Sequence, residues 1–145
     1  MAQHAAAESL AAFAASELPT LFGPTPSDVR MAIGKLAAPD RFARLARDFF
    51  ARLTQRHLDY YLSRSLSDHV GPGRRLPSTD DHVAFGAALE QHCREASRIV
   101  EAFAGGWFSK ANFEGTLTPK KAGSFIFVAL GKIGRELRRR RAPGA

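Results

Sequence analysis

A chain of 145 residues with 45% hydrophobic side chains, eleven phenylalanines among them, is long enough for one domain with a real core and too apolar to stay disordered. Its one cysteine, Cys93, excludes an internal disulfide framework, and no apolar run reaches the ~20 residues that a membrane-spanning helix needs. The formal charge of +7 resides in residues 118–145, where eight basic side chains meet one acid, Glu136, while the first 117 residues balance thirteen cations against thirteen anions; such an end points to an anionic partner, most commonly nucleic acid.

Ala2 to Leu18 reads as an alanine-rich helix with a weak apolar edge of Leu10, Phe13 and Leu18. Its small residues resemble a signal-peptide end, but no Lys or Arg precedes them and His4, Glu8 and Glu17 interrupt the apolar stretch. A cytoplasmic location is therefore the default expectation. Pro19, Gly23, Pro24 and Pro26 form a stiff connector, and residues 1–26 are expected to lie at the periphery. Ser27 is the expected N-cap of a short helix over Asp28–Ala38.

Asp40 to about His69 holds the longest pattern. Phe42, Leu45, Ala46, Phe49, Leu53, His57 and Tyr60 share one face at 100° per residue. Leu58, Leu62 and Leu66 lie opposite, which predicts either a bend near His57–Tyr61 or a change of covered face. Gly71-Pro72-Gly73, two arginines and Pro77 make a loop. Ser78 or Thr79 then caps a helix with the stripe Phe85, Leu89, Cys93, Ala96, Ile99, Val100 and Phe103, and Gly105-Gly106 is its expected end. Trp107 to Leu117 reads as an aromatic loop or a broken turn. Thr118-Pro119 starts the last helix, which runs to about Arg141 before a frayed tail at 142–145. No strand-like alternation persists, so the expectation is one all-α domain, a bundle of four or five helices with a basic C-terminal helix.

The last helix turns Ala122, Phe125, Ile126, Ala129, Leu130, Ile133 and Leu137 toward the core. It carries Lys120, Lys121, Lys132, Arg135, Arg138 and Arg139 on the other side. A row of cations on one exposed face is what phosphate contact requires, since each neutralised phosphate releases counterions. A solvated face that complements the helix dipole is the competing reading, followed by an acidic protein surface or an anionic membrane. Arg41, Arg44, Arg47, Arg52 and Arg56 of the long helix, followed by Arg74 and Arg75, make a second cationic row, which either lines an electrostatic groove with the last helix or pairs with acids elsewhere; Arg41, Arg44, Arg52 and Arg56 are its candidate nucleic-acid contacts. Gly123, Phe127, Gly131 and Gly134 form a strip that predicts close approach of a neighbouring helix or of a partner. Trp107 is either a core anchor, a stacking platform or an interface residue.

No convergent catalytic signature is present. His4, His57, His69, His82 and His92 have no zinc-ligand spacing, Asp68-His69 and Asp81-His82 point apart as helix neighbours, and Cys93 lies mid-stripe. The expectation is a non-enzyme without metal or cofactor.

From His92 to Leu137 the order is an apolar helix, a glycine break, Leu117-Thr118-Pro119-Lys120-Lys121-Ala122-Gly123-Ser124-Phe125, and a basic amphipathic helix. This third of the chain resembles the C-terminal part of the small all-helical subunits of CRISPR effector complexes, particularly the type III ones. The resemblance implies a non-catalytic subunit of a bacterial antiviral assembly that stacks in several copies along a guide–target filament. RNA or DNA backbone, other protein subunits and further copies of itself are then the expected partners, with Lys120, Lys121, Lys132, Arg135, Arg138 and Arg139 as the nucleic-acid contacts.

Overall fold

A computed structural model describes residues 1–18, 23–66, 69–73 and 78–141. The described residues form an all-α bundle: α1 (Ala2–Glu17), α2 (Pro26–Gly34), α3 (Pro39–Leu66), α4 (Thr79–Ala96), α5 (Arg98–Phe113) and α6 (Pro119–Arg141), with a 3-10 turn over Lys35–Ala37. Three starts have local causes. Thr25 and Asp28 make a reciprocal capping box around Pro26, so the N-cap is Thr25 rather than Ser27. Ser78 and Asp81 do the same for α4, and the Thr118 hydroxyl accepts from the Lys121 amide at 3.2 Å.

The long helix α3 is the central element. It runs as one uninterrupted helix to Leu66, and in its second half Leu58 and Leu62 are half-buried while His57 and Tyr60 are exposed, so the covered face changes as the second of the two alternatives expects. α1, α4 and α5 pack around it, and α6 lies on α4 and α5. The core is built from Ala43, Ala46 and Phe50 of α3, Ala96 of α4, Val100 and Ala104 of α5, and Phe125, Ala129 and Ile133 of α6. Its alanines bring helix backbones close, and its volume comes from rings. Phe125 stacks on Trp107 at 4.3 Å and meets Phe103 and Phe50 edge-on or tilted at 5.6 and 6.0 Å. Such ring pairs contribute ~0.5–1.5 kcal/mol each beyond area burial.

Two sequence expectations give way here. The stripe read as one helix over Thr79–Phe103 divides at Ser97, where the Val100 amide bonds back to the Ser97 carbonyl at 3.0 Å. Cys93, Ala96 and Val100 stay buried on both sides of the break, so the periodicity carried no sign of it. Gly105-Gly106 does not end a helix: α5 continues through it to Phe113, and Trp107 sits in a helix rather than a loop. The glycine serves a crossing, since a Cβ on Gly105 would stand 3.0 Å from the Pro39 carbonyl oxygen.

The N-terminal helix is also part of the bundle rather than peripheral. Ala5 and Ser9 are buried, and Glu8 and Glu17 tie α1 to α3. Part of the expected connector (Pro19), the arginines Arg74 and Arg75, Asp68 and the 142–145 tail lie outside the described residues.

Candidate nucleic-acid interface

A narrow seat holds α6. Phe125, Ala129 and Ile133, spaced four apart, are its buried positions, so one stripe anchors the helix and most of its circumference faces solvent. Ala122, Ile126 and Leu130, expected in the core, are exposed instead.

At 100° per residue, Lys120 and Arg138 fall opposite the buried stripe, Arg135 about 60° from them, and Lys121 and Arg139 about 40° further toward α6's buried side. From Lys120 to Arg138 the face spans roughly 27 Å at 1.5 Å per residue. Among the described residues, two carboxylates reach it. Glu114 lies 4.0 Å from Lys121, and Glu136 lies 2.9 Å from Arg139 and 3.7 Å from Arg140. Lys120, Arg135 and Arg138 are exposed with no carboxylate within ion-pair distance among the described residues. Lys132, expected in the same row, is not on it: it lies about 120° round the helix, half-buried on the side of the seat, with its ammonium 5.3 Å from the Phe103 ring centroid. The ridge is thus open to solvent and largely uncompensated.

The second cationic row has a different fate. Arg41 bonds Glu17 at 2.6 Å, Arg52 bonds Asp48 at 2.7 Å and lies 3.6 Å from Glu8, and Arg56 bonds Glu8. Arg47 pairs with Glu101 of α5 at 2.9 Å. These contacts hold carboxyls below their ordinary range: Glu8 chiefly through Arg56, and Glu17 through Lys35 and then Arg41. Arg44 alone of the four is exposed with no ion pair among the described residues. Arg41, Arg52 and Arg56 therefore face α1, and they line no common groove with α6. The physical reason is that α1, whose docking the sequence did not reveal, brings Glu8 and Glu17 to this row, while Asp48 of α3 itself pairs with Arg52.

What lies between α3 and α6 is apolar. One hollow of about 290 Å³ is lined by Phe42, Phe49, Trp107, Leu117 and Ile126 among others. A second, of about 340 Å³, lies between Leu53, His57 and Leu58 of α3 and Leu130, Gly134 and Leu137 of α6. Leu117, Ile126 and Leu130 keep 47%, 38% and 41% of their surface exposed. The sequence signal for this groove was available: the apolar arc of α6 is wider than the one stripe its seat covers.

The glycine strip is also uncovered. A Cβ on Gly123 or Gly131 would meet nothing within 4 Å, and one on Gly134 would meet only the Arg138 guanidinium at 3.8 Å. Among the described residues no neighbouring backbone approaches these three glycines, so helix packing there does not explain them. Phe127, in the same strip, is 81% exposed. Trp107, by contrast, is a half-buried core anchor between Phe125 and Phe42.

The remaining candidates for chemistry are dispersed. His4, His57, His69 and His82 are exposed on different elements, His57 lies against the Tyr61 ring at 4.8 Å, and no group of three His, Cys, Asp or Glu converges among the described residues. Burial pushes the Cys93 thiol up to about 11, the direction of an inert structural cysteine. No described helix is long and apolar enough to cross a membrane. The chain matches no protein-family model, no curated protein and no solved structure.

Proposed function

We propose that this protein is a non-catalytic subunit of a larger assembly and that α6 grips the phosphate backbone of nucleic acid without reading sequence. The observation that carries this is the open ridge: Lys120, Arg135 and Arg138 are exposed and lack carboxylate partners among the described residues, on a helix fixed by its opposite side. Lys121 and Arg139 have acids in reach but stay exposed, and surface pairs of that kind yield readily to phosphate. The C-terminal resemblance to the small subunits of type III CRISPR effectors supports RNA as the polymer and antiviral defence in the cytoplasm as the setting.

Fluorescence anisotropy with a labelled 20-nucleotide RNA tests this. Six phosphate contacts predict a log–log salt slope of about −4 on a single strand and about −5 on duplex. The variant K120E/R135E/R138E changes exposed side chains, so it should keep its helical signal and lose binding. A folded variant that binds as tightly as the parent overturns the proposal.

The apolar groove between α3 and α6 favours a second reading, in which a partner subunit docks there. Lys120 and Arg138 stand on the outer side of α6, so the fitting occupant is an amphipathic helix with an acidic flank. Leu130→Glu should abolish that association while leaving nucleic-acid binding intact.

A further inference from the structure

Phe127 stands on the cationic side of α6, and nothing in the fold uses it. It is 81% exposed, and on the helical wheel it falls within about 20° of Lys120 and Arg138. Gly123 lies one turn before it and Gly131 one turn after, and the space where their side chains would be is empty to 4 Å. Glycine in a helix interior lowers stability, and no packing contact among the described residues offsets that at either position. Their effect is clearance: no side chain stands four residues before or after Phe127, and the ring is left largely open to solvent.

A flat, exposed aromatic ring, with glycine four residues to either side and flanked by cations that lack carboxylate partners among the described residues, matches a polymer that offers phosphates and bare base faces together. In a duplex the bases are stacked on one another inside and no base face is free. In a single strand each base presents one, and sequence-tolerant stacking on aromatic residues is how such strands are held. Phe113 is also exposed, but it stands at the end of α5 beside Glu114, whose carboxylate lies within 4.0 Å of both Lys110 and Lys121 and would repel a phosphate there. We infer that the strand bound by α6 is single-stranded and that Phe127 stacks on one of its bases while Lys120, Arg135 and Arg138 hold the neighbouring phosphates. This deepens the backbone reading above and rests on it.

The test compares a labelled 20-nucleotide RNA of mixed sequence with the 20-base-pair duplex containing it, at one salt concentration. The expected loss for F127A on the single strand is about 5- to 150-fold, the range found for removing one stacking aromatic, with duplex affinity unchanged. F127L keeps apolar bulk but lacks a flat face, and it should behave like F127A. F127W should retain binding, and the emission of its added indole should be quenched by the single strand and not by the duplex. If single strand and duplex bind and F127A weakens neither, the stacking inference fails and the backbone reading stands. F127L at parent affinity overturns stacking in favour of simple apolar contact. If the parent protein binds neither strand, the backbone reading fails and takes this inference with it.

Discussion

Adjacent glycines in α5 should respond to alanine with different signs. Both Gly105 and Gly106 lie inside a helix, where Gly→Ala gains ~1 kcal/mol of helix propensity when the new methyl has room. At Gly106 nothing lies within 4 Å of the new Cβ, so the full gain is expected. At Gly105 the methyl would stand 3.0 Å from the Pro39 carbonyl oxygen and 3.4 Å from its carbon, short of ordinary contact by about 0.4 Å. The obstacle is backbone at the start of α3 and cannot rotate away, so overpacking costs about 1–3 kcal/mol and leaves a net loss of ~0–2 kcal/mol. An unfolding entropy of ~2.1 cal/mol/K per residue makes each kcal/mol worth about 3 °C in Tm for this chain. Calorimetry or thermal circular dichroism should show Gly106→Ala about 3 °C above the parent and Gly105→Ala between no change and about 6 °C below it. A Gly105→Ala protein stabilised as much as Gly106→Ala would refute the close α3–α5 crossing.

Two further outcomes follow from the same geometry. Phe125→Ala removes the ring that joins α6 to Phe42, Phe50, Phe103 and Trp107, and urea unfolding should show a loss of about 3–5 kcal/mol; a loss below ~1 kcal/mol would mean that α6 is seated elsewhere. The docking of α1 should be acid-sensitive, because the carboxyls of Glu8 and Glu17 are depressed by Arg56 and by Lys35 and Arg41. Their contribution is complete above the ordinary glutamate range and is lost as pH falls through the lowered folded values. Amide exchange in α1 should quicken over that window, and a Glu8→Gln/Glu17→Gln variant that keeps the same pH step would assign it to other groups.

The periodicities and punctuation of the sequence were enough for the helical class, the capping of α4 and α6 and the cationic face of α6. These depend on interactions within a few residues, and a cap such as Ser78–Asp81 or Thr118-Pro119 is written locally. The same locality explains the misreadings. Gly105-Gly106 looks like a helix terminator until the backbone of Pro39, 66 positions earlier, is placed against it.

Compensation across the fold was decided by the tertiary structure. Arg41, Arg56 and Arg138 are indistinguishable as letters, yet the first two meet carboxylates brought by α1 while no described carboxylate reaches the third. Composition sets how much charge a chain carries. Helix spacing encodes pairs such as Asp48–Arg52 and Glu136–Arg139, but only long-range packing decides which charges meet across elements, because Coulomb attraction depends on separations of a few ångströms that no local pattern sets between distant residues.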